Sequence, residues 1–556
     1  MHKQYLFVFV LLLVFGIMGI SSMLQLSGTC DEIGHHIPVA YILLSKGDLK
    51  MDTSQPPLAR YLMGLPLRLL LRLNVPDDKS LWRVEDRAAY GKDFFYKYNS
   101  QPKRMLLLSR LAIFVVGIVC GLVLFLWIKK RYGWTQALLG LSLFVFSPNI
   151  LAHAGLATTD MVATCTMLLA IISFSALLEN PSRKTILIAG LFLGLAQLAK
   201  YTSLLLYPLF ILLSFIELIY FDKKRSREVV NMLGGMFLIS FVVLWAGYGF
   251  EFRPILEDAM RSQEKVAWLK QAADKLPQGI GFFFEKTMHT VLFRVPIPLG
   301  SHLLGILGVW KHGQEGHGTF FMGRWSAHGN PFYFLLAMFI KTPVPTLILL
   351  VMGTWAAFRQ GLKRFDRIVF ISIVFLFIAA SSSKLQLGLR YILPLYPLFF
   401  IVASRSAELM KNRAIQIFIC ALVVWLAISS ARIWPNYLSY FNESIGGPKN
   451  GHLYLRDSNI DWGQDLPLLA AYLKRNHIEE VKMYYFGTAD PAQYGIRYTK
   501  CTREEFDFPN PVFENKVYVI STHWYGKVPW TTLFNYKDRV GYTFFVYDFR
   551  QAPQTR

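Results

Sequence analysis

The feature that most constrains this sequence is the recurrence of apolar stretches about as long as a lipid bilayer is thick. A helix needs about 20 residues to cross the ~30 Å hydrocarbon layer. Hydrophobic residues make up 54% of the 556 residues, and charged residues make up only 17%. The sequence therefore predicts a polytopic α-helical membrane protein with about eleven spans. These spans lie near residues 5–23, 105–128, 134–149, 160–178, 184–199, 202–220, 229–249, 331–357, 367–381, 391–404 and 414–431.

The distribution of positive charge predicts which loops face the cytoplasm. With the N-terminus inside, the cytoplasmic turns are KKRYG, ENPSRK, FDKKRSRE, FRQGLKRFDR and SRSAELMKNR, and all of them are rich in Lys and Arg. This is the bias known for cytoplasmic loops. Because much of the net charge of +22 lies in these short loops, we expect membrane lipids as partners and do not expect nucleic acid. Loops of about 24–103 and 250–330 then face outward.

The chain changes character after the last predicted span. VKMYYFG and KVYVIST are short runs rich in β-branched and aromatic residues, whereas LPLLAAYLKRN reads as a helix. This mixture is typical of a small α/β domain. We therefore predict two domains, a transmembrane catalytic domain of residues 1–431 and an extracytoplasmic α/β domain of residues 432–556.

Three carboxylates are predicted at the outward boundary of the membrane. Asp31 and Glu32 follow the first span, and Asp160 begins the fourth span. Ionisable residues at this depth are functional candidates, although each is also explained as a group that caps an emerging helix in water. Because the three carboxylates fall on one side at one depth, we expect them to share a cavity.

Several cations are predicted at the same boundary. Interfacial Lys and Arg commonly extend to lipid headgroups, and this explains any one of them. Beside carboxylates, however, Arg and Lys also form a site for an anionic lipid headgroup, because the guanidinium group can bind two phosphate oxygens at once. The candidates are Lys384 and Arg390 before the tenth span and Arg104 and Arg110 in the second.

The motif DEIGHH does not establish a metal site. It differs from HExxH and lacks two histidines at helical i,i+4 spacing. A divalent ion held by Asp31, His35 and a later acid is one alternative, and hydrogen bonding of the histidines within the loop is the other. We therefore expect no obligatory cofactor. Cys30 and Cys501 are both predicted to face outward, which leaves open whether they pair.

Several motifs together resemble one family of membrane enzymes. The stretch DEIGHHIPVAYILLSKGDLKMDTSQPPLARYLMGLPL resembles the first outward loop of the protein O-mannosyltransferase-like glycosyltransferases of family 39. LATTDMVATCTMLLA is similar to their second acidic site, LGLAQLAKYTSLLLYP to the stretch that follows it, and LRYILPLYP to their RYLLPLYP segment. DSNIDWGQDLPLLAAYL is similar to a segment of bacterial phospholipid-carrier-dependent members. The family has the GT-C fold and uses lipid-phosphate-linked sugars.

The resemblance implies a reaction and a location. A sugar would move from a polyprenyl-phosphate carrier to an acceptor hydroxyl, with inversion at the anomeric carbon and without an obligatory metal. The resemblance does not identify the sugar, which is either a hexose or a pentose. It does not identify the acceptor either, which is a protein, a lipid or a glycan. The tail motif favours a bacterial inner membrane, with the active site facing the periplasm or exterior.

The resemblance also implies roles for individual residues. Asp31 would be the general base, with Glu32 orienting it or the acceptor, and Asp160 would hold sugar hydroxyls or the acceptor. Cations would stabilise the lipid phosphate as it leaves. These cations are Arg390 and Lys384, with Arg110 and Lys200 as weaker candidates, while His35 and Gln55 would contact the loop or the substrate; Gln55 stands where many relatives have His or Lys.

Two other classes of function compete with this interpretation. A transporter or lipid flippase would also have many spans and charges, but such proteins usually show internal repeats, and none is visible in this sequence. A membrane scaffold whose C-terminal region binds a partner is the other alternative. It predicts that conservative substitution of Asp31 has no effect on transfer.

Overall fold

The computed structural model describes residues 2–49, 51–76, 87–220, 226–256, 274, 278–502, 505 and 513–550. Within this part of the chain, six helices are long and apolar enough to cross a membrane. They are Gln4–Gln25, Pro102–Tyr132, Asp160–Glu179, Tyr201–Ile219, Arg227–Gly247 and Arg413–Ile433. The protein is thus a multi-pass helical membrane protein, as the apolar stretches predicted.

Two spans that were predicted as continuous are bent pairs of helices. Trp134–Val145 and Pro148–Ala154 meet at 62°, and Tyr333–Lys341 and Val344–Arg359 meet at 109°. In both pairs a proline stands at or just before the start of the second helix. Proline cannot donate the backbone hydrogen bond that would continue the first helix. Counting each pair as one span gives up to eight candidate spans in the described residues.

The other three predicted spans are helical but short. Arg183–Ala199 has 17 residues, Arg364–Ser381 has 18 and Tyr396–Ser404 has only 9. The last of these follows two 3₁₀ turns, Leu389–Tyr391 and Leu393–Leu395. The eleven predicted regions therefore all contain helix, but apolar length alone does not reveal which of them are broken or shortened.

The first predicted loop and the later segments add shorter helices. The chain leaves the first span through a π-helical turn, Glu32–His36, an irregularity that is frequent at functional sites. Strand β1 (Phe252–Arg253) pairs antiparallel with the distant strand β2 (Ile297–Pro298), and β3 (Thr319–Phe321) and β4 (Arg324–Ser326) form a small hairpin. The shorter helices are Ile37–Lys46, Leu58–Leu70, Arg87–Tyr96, Gln278–Arg294, Gly300–Glu315, Gly451–Tyr454 and Leu466–Arg475.

The C-terminal region contains five strands, β5 (Glu480–Tyr484), β6 (Arg497–Lys500), β7 (Val517–Ser521), β8 (Asp538–Val540) and β9 (Phe544–Asp548). They form one mixed sheet in the order β6-β5-β7-β9-β8. Central β7 is parallel to β5 and antiparallel to β9, and all five of its residues are buried, as expected for a β-branched and aromatic run covered on both faces. The predicted small α/β region is therefore present.

Backbone hydrogen bonds join this C-terminal region to the start of the first loop. The Ser27 N–H donates to the carbonyl of Gln464 at 2.8 Å, and the Cys30 N–H donates to the carbonyl of Trp462 at 3.0 Å. The Ser27 hydroxyl donates to the carbonyl of Gly463 at 2.9 Å. The turn that precedes helix Leu466–Arg475 therefore fixes the backbone just before the adjacent acids Asp31 and Glu32.

Candidate active site

A cavity of about 1200 Å³ lies between the helices and the C-terminal region. One part of its wall is polar and carries both carboxylates and cations, and another part is apolar. A cavity of this kind suits a ligand with a charged head and a hydrocarbon tail. The polar wall includes Asp31, His35, His36, Gln55, Asp160, Lys200, Arg390 and Asp457, and the apolar wall includes Met167, Leu205, Leu307, Leu376, Leu385 and Leu395.

Asp31 is paired with Arg390 inside this cavity. Nη1 of Arg390 lies 2.9 Å from Oδ2 of Asp31, and Nε of Arg390 donates to the carbonyl of Leu387 at 3.0 Å. Burial alone would raise the pKa of Asp31, but the Arg390 guanidinium, with His35 and His36, holds that pKa below its usual value. At rest, Asp31 is therefore an ionised carboxylate.

Asp160 has its own cation in the same cavity. Nζ of Lys200 lies 2.6 Å from Oδ1 of Asp160, and the Thr158 hydroxyl donates to Oδ2 at 3.1 Å. Burial alone would lower the pKa of Arg390, but the negative charges of Asp31 and Asp160 raise it. Arg390 therefore lies within the field of both carboxylates, which are 129 positions apart in the sequence (160 − 31).

Glu32 and Arg110 form a separate, fully buried pair. The Arg110 guanidinium donates to both carboxylate oxygens of Glu32 at 2.8 Å and to the carbonyls of Met23, Leu26 and Ser27. Glu32 also accepts hydrogen bonds from the Thr29 and Ala157 amides. Because these bonds occupy every guanidinium N–H and neither residue lines the cavity, the pair holds the loop in place and offers Arg110 no N–H for a lipid phosphate.

The remaining predicted site residues divide between the cavity and the surface. His35, Gln55 and Lys200 line the cavity. Lys384 is exposed, and its Nζ lies 3.4 Å from the carbonyl of Gln314. Arg104 is also exposed and donates to the side chain of Gln101. The structure thus brings Asp31, Asp160, Arg390 and Lys200 together and leaves Lys384 outside this group.

Two further observations concern the cysteines and the groups that could hold a metal ion. All five cysteines are free thiols, so Cys30 and Cys501 do not form a disulfide. In the described residues, no three His, Cys, Asp or Glu side chains lie close enough together to hold a metal ion.

Four residues of the C-terminal region reach the cavity and were not among the predicted site residues. They are Asp457, Trp462, Phe486 and His523. The guanidinium carbon of Arg390 lies 4.4 Å from the centre of the Trp462 ring. Asp457 and Trp462 fall within the tail motif DSNIDWGQD, which was a usable signal, whereas no pattern in the sequence marks Phe486 or His523.

Comparisons with known proteins agree with this architecture. Residues 106–245 match a family model described as dolichyl-phosphate-mannose-protein mannosyltransferase. That range contains Asp160 and Lys200 and ends before Arg390. A search of curated protein sequences found no match.

Solved structures give the fold over nearly the whole chain. ArnT from Cupriavidus metallidurans, crystallised with undecaprenyl phosphate, is 13% identical, with a TM-score of 0.50 over 98% of this chain and 97% of that chain. The apo form of the same protein is 12% identical, with a TM-score of 0.49 over 99% of each chain. The archaeal oligosaccharyltransferase AglB from Archaeoglobus fulgidus, in complex with an inhibitory peptide and a dolichol-phosphate, is 14% identical, with a TM-score of 0.45. That match covers 92% of this chain and 62% of the AglB chain. The predicted GT-C fold is confirmed by the ArnT match.

Proposed function

We propose that this chain is an integral-membrane glycosyltransferase of the GT-C type, which moves a hexose or pentose from a polyprenyl-phosphate carrier to an acceptor hydroxyl with inversion. One observation carries the proposal. Asp31 and Asp160 line a single cavity together with Arg390 and Lys200, and the rest of that cavity is largely apolar. The match of residues 106–245 to the mannosyltransferase model supports the same reaction class.

The donor fits the cavity by chemistry. Arg390 pairs with Asp31 and Lys200 pairs with Asp160. Arg suits a phosphate because its planar guanidinium group reaches two oxygens. The apolar wall around Leu376 and Leu395 offers a surface for the prenyl chain. ArnT was crystallised with undecaprenyl phosphate, a lipid of this class.

The reaction needs one proton acceptor and one stabilised leaving group. The acceptor oxygen attacks the anomeric carbon, the bond between that carbon and the phosphate oxygen breaks, and the acceptor proton passes to Asp31. The leaving polyprenyl phosphate gains the negative charge, which Arg390 and Lys200 stabilise. Asp160 holds hydroxyls of the sugar or of the acceptor.

Donor binding also explains how a paired carboxylate becomes a base. While Arg390 is bonded to Asp31 at 2.9 Å, the carboxylate is a weak proton acceptor, because the cation stabilises its ionised form. A lipid phosphate competes for the same guanidinium. Once Arg390 binds the phosphate, Asp31 loses part of this stabilisation and takes the acceptor proton more readily.

The location follows the charge distribution of the loops. Lys- and Arg-rich turns on one side support a cytoplasmic position for that side, so the cavity at the opposite boundary opens to the periplasm or exterior of a bacterial inner membrane. Membrane lipids surround the exposed apolar helix faces.

Mass spectrometry of cell products tests the proposal directly. Cells with the protein should contain an acceptor whose mass exceeds that from deletion cells by one sugar residue. Asp31→Asn should lower the amount of this product by about a hundredfold or more, because the substitution removes the general base. Asp93→Asn is the matched control, since Asp93 lies in the same predicted loop on helix Arg87–Tyr96 with a carboxylate 37% exposed.

Two results would contradict the proposal. The first is an Asp31→Asn variant that inserts in the membrane and makes product as the wild type does. The second is labelled sugar that crosses vesicles containing the protein without becoming covalently attached, which is the behaviour of a transporter.

A further inference from the structure

The C-terminal region contributes a separate part of the cavity wall. Asp457, Trp462, Phe486 and His523 all line the cavity that contains Asp31 and Arg390. We call these four residues the C-terminal subsite. The reaction described above uses none of them, so their chemistry needs its own account.

Asp457 is held beside Arg390 in an unusual conformation. Its φ is +59°, a left-handed value that is uncommon for residues other than glycine and tends to occur where function requires it. The next two residues anchor it. The Ser458 hydroxyl donates to the carbonyl of Leu387 at 2.7 Å, and the Asn459 side chain accepts from the Leu389 amide at 3.0 Å.

The carboxylate of Asp457 has few protein partners. It accepts a hydrogen bond from the Ser458 amide, and no ion pair to it occurs in the described part of the chain. Burial raises its pKa even though Arg390 lowers it. The small number of protein partners leaves oxygen lone pairs free to accept hydrogen bonds from a ligand in the cavity.

His523 supplies a second unpaired polar group. The side chain is only 7% exposed, and its Nδ1 has no hydrogen-bond partner among the described residues. Its Nε2 lies 3.0 Å from Nζ of Lys527. The imidazole stacks on the ring of Phe486, with centroids 4.0 Å apart and planes at 9°. A buried nitrogen without a partner is costly, and His523 lines the cavity, so a hydroxyl group that reaches this nitrogen would remove that cost.

The combination favours a ligand with several neutral hydroxyl groups. A hydroxyl can donate to the Asp457 carboxylate and can donate to or accept from an imidazole nitrogen. An anionic ligand would be repelled by Asp457, and a purely apolar one would leave both polar groups unpaired. His523 covers one face of the Phe486 ring, and Arg390 stacks on Trp462. The parts of both rings that line the cavity offer apolar surface for the C–H groups of a sugar ring, in the pattern of few polar groups among aromatic walls.

We propose that the C-terminal subsite binds a carbohydrate acceptor, with Asp457 and His523 bonding to hydroxyls next to the one that attacks. The proposal rests on the glycosyltransferase function given above. It assigns the acceptor to the side of Asp457 and the lipid-linked donor to the side of Lys200. The C-terminal region would then select the acceptor.

Steady-state kinetics with separate donor and acceptor titrations test this subsite. The acceptor source is membranes from cells that lack the protein, which contain the acceptor in unmodified form. Asp457→Asn and His523→Phe should each raise the amount of membrane needed for half-maximal rate by about tenfold, because each removes a hydrogen bond to a hydroxyl. Asn tolerates the left-handed conformation, and Phe preserves the stacking on Phe486.

The controls separate an acceptor role from a general structural one. Binding of undecaprenyl phosphate to purified protein should stay within about twofold in His523→Phe. In Asp457→Asn it should be unchanged or tighter, because this variant removes a negative charge beside Arg390. Asp538→Asn, at an exposed position of β8, should leave both titrations unchanged. Weaker lipid binding in the two variants, or unchanged acceptor titrations, would overturn the subsite.

Linkage analysis of the product tests the class of acceptor. The transferred sugar should be attached to a hydroxyl of another sugar, and attachment to a serine or threonine of a protein would overturn this assignment. Failure of the proposed function has a different signature, since the wild-type protein would then transfer no sugar at all. Failure of the subsite alone appears as normal wild-type transfer with unaffected variants.

Discussion

At the scale of single residues, pairing decides which charges are available for chemistry. Arg110 donates to Glu32 and to three backbone carbonyls, so that none of its N–H groups is free, whereas Arg390 bonds to Asp31 through one Nη1 contact at 2.9 Å and stacks on Trp462. Acids that are adjacent in the sequence therefore have different surroundings. The sequence predicts that both lie at the membrane boundary, because hydropathy sets depth. It does not predict which acid faces the cavity, because that depends on contacts with residues far away in the chain.

Replacing Arg390 should weaken lipid-phosphate binding. Arg390→Gln removes the cation and should raise the Kd for undecaprenyl phosphate by about tenfold or more, the usual size for a charge-assisted hydrogen bond. Arg390→Lys should recover only part of the loss, because an ammonium group lacks the planar fork. Arg72→Gln is the control, because Arg72 is an exposed arginine of the first predicted loop. Equal Kd values for Arg390→Gln and Arg72→Gln would argue against a phosphate role.

Replacing Glu32 should destabilise the fold. Glu32→Gln breaks a pair in which both side chains are at most 1% exposed, and leaving one buried charge uncompensated costs about 3–5 kcal/mol. Glu179→Gln breaks the Arg131 pair, whose side chains are 20% and 24% exposed, and should cost about 1 kcal/mol or less. Thermal unfolding in detergent compares the two variants. Similar midpoints would contradict a structural role for Glu32.

At the scale of elements, the turn from Asp457 to Asp465 connects the C-terminal sheet to the start of the first predicted loop. Strands β5 and β7 and the helix Leu466–Arg475 were predicted, because period-two and helical patterns are local properties of a sequence, whereas β6, β8 and β9 were not predicted. The bends at Pro148 and Pro343 were not predicted as breaks, because proline in an apolar run is also tolerated in a continuous span. The turn itself has no periodicity, and only its likeness to a family motif drew attention to it.

Asp461 in this turn should make stability depend on pH. Burial raises its pKa from the usual 3.8 to about 7, although the Gly463 and His523 amides donate to it and lower that pKa. A raised carboxyl pKa favours the protonated folded state, so this stabilisation is complete below about pH 4. It declines as the pH rises to 7, with a limiting slope of about 1.4 kcal/mol per pH unit.

Unfolding midpoints measured between pH 4 and pH 8 test this dependence. Asp461→Asn cannot ionise, so its stability should fall less over this interval than that of the wild type. The pKa of Asp465 is also raised by burial and, to a smaller extent, by the charge of Asp461, so Asp461→Asn should reduce the contribution of Asp465 in the same direction. Parallel profiles for wild type and variant would show that Asp461 does not titrate in this range.

At the scale of the whole molecule, the cavity is assembled from distant parts of the chain. Its wall takes residues from Cys30 near the start to His523 near the end. The polytopic class and the α/β region were predictable, because each depends on local composition. The shape of the cavity and the share of its wall that comes from the C-terminal region depend on packing, and no single stretch of sequence encodes either.

The backbone bonds between Ser27 and Gln464 and between Cys30 and Trp462 have a consequence for biosynthesis. The first loop is made early, whereas its partners in these bonds are made only after the last span. A nascent chain can thus insert all of its helices while the segment that carries Asp31 still lacks its support. Competence for chemistry would come at the end of translation, so that ribosome-bound and prematurely terminated chains occupy the membrane without consuming lipid-linked sugar.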